Sequence, residues 1–362
     1  MKKVLCIFSK PKDFAHPENY PAPVTFFGYI ELAADKDFVT ERLEVDRKPG
    51  LKWALQNPLW VLWRPFELFL YRLTGVGFSL GQIAQRIRYI NTFDVVYGIN
   101  DTSGLPLSFL KRVGIIRPRV VFISAGLINN LYARPRDIRT KFIHYALAGA
   151  DRVLAWSPHE QNMFATWGVH SETIPLEADI TFFQPDANVP KEDFILFSGR
   201  DVGRDTDTLI NVLKETHLPA VFITNQSLLP KGSLPENITL ITEFIDHDTL
   251  KDYYHGAKLV VVPVKEIGRI SGQTSILESL AMGKATVVAK TKACVSAYPE
   301  LTEGKHLLWY EPENEESLRK QILRVYNNTE LCSTLETGGR TFVESLPKNW
   351  LYSKLKETIT AV

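Results

Sequence analysis

The chain has 362 residues, 45% hydrophobic and 23% charged, a balance that is typical of globular proteins and excludes a disordered or fibrous chain. This length predicts two domains, and because no run of about 18 uncharged apolar residues occurs, no transmembrane helix is expected. The net charge is +1, yet residues 52–141 carry 13 Lys/Arg against four Asp/Glu, so this segment is expected to present a basic face to an anionic partner.

The amino terminus and the cysteines indicate the compartment. The start, MKKVLCIFSK, has two lysines before a short apolar run without a small-residue cleavage site, so a buried first strand is favoured over a signal peptide. The cysteines Cys6, Cys294 and Cys332 are scattered without metal-ligand spacing. Reduced thiols in the cytoplasm are therefore predicted.

Strands and helices alternate through the first half of the chain. Ser157-Pro158 with Glu160 three residues after the serine predicts a helix start. The predicted strands are Val4–Phe8, Phe93–Gly98, Arg119–Ile123 and Arg152–Ala155, with a helix at Ile138–Ala148. The alternation predicts a doubly wound α/β domain.

The second half begins after Gln184–Lys191, whose two prolines predict a linker. Strands are predicted at Phe194–Phe197, Ala220–Thr224 and Ile238–Ile241, and helices at Asp205–Glu215, Leu250–His255, Asn314–Asn327 and Trp350–Val362. The pattern again predicts a parallel α/β arrangement.

The most informative stretch is Leu259–Ala289, which reads as strand, polar loop, helix and strand. The helix, predicted at Thr274–Met282, would point its free N–H groups and the positive end of its dipole into the loop, where a diphosphate can bind. Glu278 lies one turn past Thr274 and can accept hydrogen bonds from two neighbouring hydroxyls, as on a ribose. The alternative is an ordinary connecting loop without a ligand.

The sequence of this stretch, SGQTSILESLAMGKATVVA, resembles the donor-nucleotide segment of the group 1 family of retaining GT-B glycosyltransferases. The spacing from Glu278 to Gly283 matches the family, and Ile174-Pro175 followed by Asp179, Phe183 and Pro185 resembles the end of its amino-terminal domain. The resemblance is strong over 194–342, fair over 121–185 and poor before residue 118.

The resemblance implies a GT-B fold, an α/β architecture with two Rossmann-like domains facing a central cleft. An acceptor-binding domain would span 1–185, a nucleotide-sugar-binding domain 186–345, and a helix at 346–362 would cross back to the first domain. The implied catalytic cations are Arg200 and Arg204, which stabilise the departing diphosphate. The implied donor-binding residues are Ile245, Ser271, Gly272, Gln273, Thr274 and Glu278.

The loop before the helix departs from the family. Retaining members usually carry a second glutamate eight residues before the position of Glu278, where this chain has Ile270. Glu266 is the nearest candidate for its catalytic role; the alternative is a surface carboxylate near Lys265 and Arg269. Arg200 could likewise be paired to a neighbouring aspartate in a solvated loop.

Two features of the first half point to the acceptor. Asn100, Asp101, Ser124 and Gly126 follow two predicted strands and are expected to line the cleft, although a polar strand end is often only a turn. The segment Trp53–Tyr71 is rich in aromatic residues with arginines nearby, which is typical of helices at a membrane surface. A core or cleft helix pair is the alternative.

The expected function is metal-independent, retaining transfer of a sugar from a nucleotide sugar, a UDP-sugar or a GDP-sugar, to a hydroxyl of a glycan or lipid-linked glycan. No cofactor, metal or nucleic-acid partner is expected. The protein would work in the cytoplasm, with peripheral contact to an anionic membrane. Two alternatives stay open: an inverting transferase or epimerase on the same fold, and a non-catalytic scaffold that binds nucleotide sugar.

Overall fold

The computed structural model describes residues 1–9, 20–21, 25–45, 58–77, 79–133, 137–186, 188–190 and 192–362. Within these ranges the chain forms two compact units. The first contains residues 1–9, 26–175 and 351–362, and the second contains residues 176–350 together with residues 20, 21 and 25. The first five residues of the predicted segment Trp53–Tyr71 lie outside the described ranges, and so do Ala187 and Lys191 of the predicted linker.

The first unit is built on a six-stranded parallel sheet of order β2-β1-β3-β4-β5-β6. Every residue from Val4 to Phe8 is completely buried, which explains the continuous apolar run of the first strand. The strands are β1 Lys2–Ser9, β2 Phe38–Val45, β3 Val95–Gly98, β4 Arg119–Ile123, β5 Arg152–Ala155 and β6 Ser171–Thr173.

The helices of this unit cover the sheet. Ser157 caps the last of them as predicted, its side chain accepting a hydrogen bond from the Glu160 N–H at 3.2 Å. The helices on this sheet are α1 Tyr29–Ala34, α2 Pro58–Thr74, α3 Leu80–Ala84, α4 Ile87–Ile90, α5 Asp101–Arg112, α6 Leu127–Ala133, α7 Ile138–Leu147 and α8 Pro158–Thr166. No helix in the described part of the chain is both long enough and apolar enough to cross a membrane.

The second unit repeats this architecture with a parallel sheet of order β12-β11-β10-β7-β8-β9. Its strands are β7 Ile195–Ser198, β8 Ala220–Ile223, β9 Ile238–Ile241, β10 Leu259–Val262, β11 Ala285–Ala289 and β12 Leu308–Tyr310. Its helices are α9 Thr206–Thr216, α10 His247–Gly256, α11 Gln273–Ala281, α12 Lys292–Ala297, α13 Glu315–Tyr326 and α14 Thr329–Ser345. The prediction of two parallel α/β domains is confirmed.

The last helix, α15 (Trp350–Ala361), packs on the first unit. Lys2 donates to the Ile359 carbonyl at 3.0 Å, the Thr358 hydroxyl donates to Glu172 at 2.9 Å, and Lys356 forms ion pairs with Asp35 and Asp37, each at 2.6 Å. Helix α15 is thus bound to β1, to β6 and to the loop between α1 and β2.

Candidate functional site

The second sheet changes its direction of winding between β7 and β10. The chain runs from β7 to β8 and β9 on one side, and β10, paired to β7 on the other side, leads to β11 and β12. In open parallel sheets, ligands bind beyond the carboxyl ends of the strands at this switch point. The loops there, residues 199–205 and 263–272, carry the predicted residues Arg200, Arg204, Glu266, Ser271 and Gly272.

Arg204 is buried at this switch point with part of its hydrogen-bonding capacity unused. Its Nε donates to Asp201 Oδ2 at 2.8 Å, and its Nη2 donates to Ser275 Oγ at 3.0 Å. Its Nη1 is buried and has no partner among the described residues. A buried guanidinium group with an unused hydrogen-bond donor can bind an anion.

Two glycines make room for this guanidinium. A Cβ at Gly199 would lie 2.3 to 2.8 Å from three guanidinium atoms of Arg204. Gly272 has a φ of +74°, and a Cβ there would lie 3.1 Å from Arg204 Nη1 and 2.6 Å from Val262. Both positions therefore require glycine for the two loops to close around the cation.

Gly272 is also the N-cap of α11, and as a glycine it has no side chain to cap the first turn of that helix. The free N–H groups and the positive end of the helix dipole thus open beside Arg204. Ser271 is buried, Thr274 is half-buried at this end, and the Gln273 side chain donates to the Tyr298 hydroxyl at 2.7 Å. Gln273 can accordingly offer a ligand its backbone amide.

Glu278 lies one turn further along α11 and is buried. Its Oε2 accepts a hydrogen bond from the Tyr254 hydroxyl at 3.0 Å. Burial raises the pKa of Glu278 to about 7, against the opposing effects of the Tyr254 hydrogen bond and the charge of Arg204. The carboxyl group therefore changes its charge near neutral pH; its contact with a ribose stays a prediction.

Arg200 and Arg204 face different partners, although both belong to the loop after β7. Arg200 donates to Asn225 Oδ1 at 3.4 Å and to the Glu243 carbonyl, and its Cζ lies 5.9 Å from the centroid of the Phe244 ring. That ring is 84% exposed. Arg200 thus lies with the segment that contains the predicted nucleobase contact Ile245, whereas Arg204 lies at the start of α11.

Ile270, at the position of the family's second glutamate, and Glu266, the candidate substitute, differ in their surroundings. Ile270 is buried. Glu266 is exposed, and its Oε2 accepts a hydrogen bond from the Lys292 backbone N–H at 3.0 Å, at the first residue of α12. Its predicted catalytic role stays a prediction.

The four predicted acceptor residues come together in the first unit, at the carboxyl ends of β3 and β4. Asp101 Oδ2 accepts from the N–H groups of Ala125, Gly126 and Leu127 at 2.8 to 3.1 Å, and burial raises its pKa to about 6. Asn100 caps α5 through the Ser103 N–H at 3.2 Å. Asp101 and Asn100 hold the two loops in place, and Ser124 beside them is buried.

Sequence reasoning missed four residues around the candidate donor site: Asp201, Tyr254, Arg269 and Ser275. Each contacts a residue at least 24 positions away, and no local motif signals such contacts. For Asp201 the sequence offered one signal, its position next to Arg200. Among the described residues, no group of three His, Cys, Asp or Glu side chains could hold a metal ion.

Residues 222–328 match the family model of the group 1 glycosyl transferases. No curated protein matches the chain. The solved structures that share its fold include sucrose-phosphate synthase from Thermosynechococcus elongatus (16% identity, TM-score 0.72, 100% of this chain and 99% of the other), HepE from Anabaena in complex with UDP-glucose (13%, 0.69, 100% and 100%), and a glycosyltransferase from Rickettsia africae (14%, 0.61, 99% and 97%). Residues 222–328 thus match the group 1 glycosyl transferases, and the chain as a whole has the two-sheet GT-B fold of these solved structures.

Proposed function

We propose that the protein transfers a sugar from a nucleotide sugar to a hydroxyl acceptor and holds the donor diphosphate between the loops after β7 and β10. One observation carries the proposal: the unused Nη1 donor of buried Arg204 beside the uncapped start of α11. A leaving diphosphate gains negative charge as the glycosidic bond breaks, and a fixed cation with free amides stabilises that charge. These groups supply the charge without a metal ion, which supports a metal-independent reaction.

The donor is proposed to be a UDP-sugar, with a GDP-sugar as the second candidate. The structures of HepE in complex with UDP and with UDP-glucose support this choice, because they share the fold over the whole chain. Glu278 would accept hydrogen bonds from the ribose hydroxyls, and Ile245 would edge the base. The Ser271–Thr274 amides and Arg204 would hold the phosphates, with Arg200 close by.

We propose retention of the anomeric configuration, with the leaving phosphate assisting the attack and Glu266 as the carboxylate nearest to the donor sugar. An inverting enzyme or an epimerase would instead need a general base, for which Asp101, with its pKa raised to about 6, is the candidate in the first unit. NMR analysis of the product's anomeric configuration separates retention from inversion.

Binding of nucleoside diphosphates to Arg204→Met tests the donor site. Calorimetry with UDP, GDP, ADP and CDP, each with magnesium and with EDTA, should reveal one preferred nucleotide that binds equally in both conditions. Methionine keeps the apolar stem and removes the charge-assisted hydrogen bonds, so the affinity should fall by roughly 10- to 100-fold.

The matched control is Arg319→Met, which removes a surface arginine paired to Glu215 in the same unit and should leave the affinity unchanged. Equal affinity of Arg204→Met and wild type would refute the site. A protein that binds the diphosphate but neither hydrolyses nor transfers the sugar would be the non-catalytic scaffold.

The acceptor is proposed to be a glycan or lipid-linked glycan bound by the first unit, which would touch an anionic membrane from the cytoplasm. The outward face of α2 supports this contact, because it is apolar and basic, while the acidic Glu67 points inward to the Gly81 N–H at 2.8 Å. The exposed apolar residues are Phe66, Leu68, Phe69 and Tyr71. They are flanked by the exposed Arg72 and by Arg64, whose Nη1 lies 3.5 Å from Glu67 Oε2.

Flotation with anionic and neutral liposomes at low and moderate salt tests this contact. The double variant Phe66→Ser/Phe69→Ser should lose binding to anionic vesicles, whereas Val113→Ser/Ile115→Ser, which changes two other exposed apolar residues of the same unit, should keep it. If the wild type fails to float at either salt, the membrane proposal is wrong.

A further inference from the structure

The Asp201 carboxylate joins the two loops of the proposed donor site, and the inference that follows rests on that proposal. It accepts four hydrogen bonds: from the Gly203 N–H at 3.0 Å, Arg204 Nε at 2.8 Å, Arg269 Nη2 at 3.2 Å and Ser271 Oγ at 2.5 Å. The first two donors belong to the loop after β7 and the last two to the loop after β10. One side chain thus connects both loops.

The backbones of the two loops also touch. Arg204 forms an isolated antiparallel bridge with Val264, and the Lys265 N–H donates to the Gly203 carbonyl at 2.9 Å. These bonds bring the loops together but do not orient their cationic side chains. That orientation depends on the side-chain partners of Arg204 and Arg269, and Asp201 is a partner of both.

The charge of Asp201 offsets a repulsion between like charges. Burial acts to raise its pKa, yet the charge of Arg204, the Ser271 hydroxyl and the charge of Arg269 together hold that pKa at about 2. The group is therefore ionised at every physiological pH. Without it, two guanidinium groups would face each other across a partly buried space.

The geometry of the Arg204 fork shows what this carboxylate does for the site. Because Nε is held by Asp201 and Nη2 by Ser275, the plane of the guanidinium is fixed and Nη1 is left next to Gly272 at the start of α11. A planar fork held at two points directs its remaining donor.

We propose that Asp201 is a positioning residue that preassembles Arg204 and Arg269 as a cation pair for the donor diphosphate. The second phosphate-directed cation would then be Arg269 rather than Arg200, whose guanidinium lies with Asn225 and Glu243. Asp201 acts through the arginines and does not itself touch the donor.

Competition titrations with UDP, UMP and uridine, and with the guanosine series in parallel, test this role. Asp201→Asn should weaken UDP binding by roughly tenfold and UMP binding by less, and it should leave uridine binding unchanged, because the effect passes through phosphate contacts. In an Arg204→Met background the same substitution should cause a much smaller loss of UDP affinity. Asp248→Asn, a surface aspartate of the same unit, is the matched control.

The outcomes separate this inference from the proposed function. If the wild type binds none of the nucleoside diphosphates, the proposed function fails. If the wild type binds UDP or GDP but Asp201→Asn weakens diphosphate and nucleoside equally, or weakens UDP as much in the Arg204→Met background, Asp201 only stabilises the loops and the inference is wrong.

If Asp201→Asn does not fold, Ser271→Ala removes one of the four donors to this carboxylate. It should still weaken UDP binding severalfold and leave uridine binding unchanged. Equal losses for the two ligands would overturn the inference.

Discussion

Replacing Glu278 by glutamine should remove a pH-dependent loss of stability from the second unit. The carboxyl group is 5% exposed and titrates at a pKa of about 7, against an ordinary value of 4.5. The folded protein therefore binds this proton more tightly than the unfolded chain does. Glutamine keeps the shape and the hydrogen bond to Tyr254 but cannot ionise.

The sign and size follow from this difference in pKa. The stabilisation is complete below pH 4.5 and is lost as the pH rises through 7, since ionising a buried carboxyl favours the unfolded state. At about 1.36 kcal/mol for each unit of pKa, the free energy of unfolding of wild type should fall by about 2.5 kcal/mol between pH 5 and pH 8, relative to that of Glu278→Gln.

Urea unfolding at pH 5, 6, 7 and 8 measures this difference. The transition of the second unit should be followed separately, because a chain with two units need not unfold in one step. Glu300 is exposed, so Glu300→Gln is the control, and its free energy of unfolding should change with pH as that of wild type does. If the free energy of unfolding changes with pH in the same way in Glu278→Gln and in wild type from pH 5 to pH 8, the Glu278 carboxyl group is not buried and the prediction is wrong.

Three further changes test the site and its supports. Calorimetry of Gly199→Ala should show a loss of UDP affinity as large as that of Arg204→Met, because the new Cβ would displace the guanidinium; unchanged affinity would contradict this. Asp101→Ala leaves three backbone N–H groups unpaired and should cost about 3 kcal/mol in urea unfolding of the first unit, with UDP affinity retained. UDP affinity should rise from pH 6 to pH 8 more steeply in wild type than in Glu278→Gln; equal slopes would argue against a ribose contact by the carboxylate.

The buried strands were the part of the fold that the sequence predicts best. Leu259–Val262, Ala285–Ala289 and Arg119–Ile123 have the predicted bounds, because central parallel strands are buried on both faces and read as unbroken apolar runs. β2 (Phe38–Val45) was missed, since it lies at the sheet edge and three of its eight residues are exposed.

Helix α5 was missed because it contains Gly104 and Pro106, two residues that normally argue against a helix. The structure supplies the reason for the glycine: a Cβ at Gly104 would lie 2.2 Å from the ring of Phe122 on β4. Helix and sheet approach each other so closely that only hydrogen fits. Such a tertiary requirement overrides local propensity and cannot be read from the segment itself.

The candidate donor site shows the same division. The sequence indicates Gly272 and Glu278 because a strand, a glycine-containing loop and a helix are local in the chain, and the family resemblance adds Arg204. It did not predict Ser275 as a partner that fixes Arg204, because that contact joins residues 71 positions apart. It offered Asp201 only as a neighbour of Arg200, although Asp201 pairs with Arg204 three residues on. The sequence shows which residues carry charge, but it does not show how their side chains are oriented.

Glu266→Gln addresses the departure at Ile270, where the family's sugar-contacting carboxylate is replaced by a buried apolar side chain. If Glu266 has taken over that role, the transfer rate should fall by roughly 100-fold, while UDP affinity stays unchanged because the phosphates and ribose contact other residues. If it only caps α12 through the Lys292 N–H, glutamine can still accept that bond and neither quantity should change. Steady-state kinetics of transfer, with UDP calorimetry on the same samples, distinguishes the two. An unchanged rate would mean that the reaction proceeds without Glu266, and it would leave Arg204 and the amides of α11 to stabilise the transition state from the phosphate side.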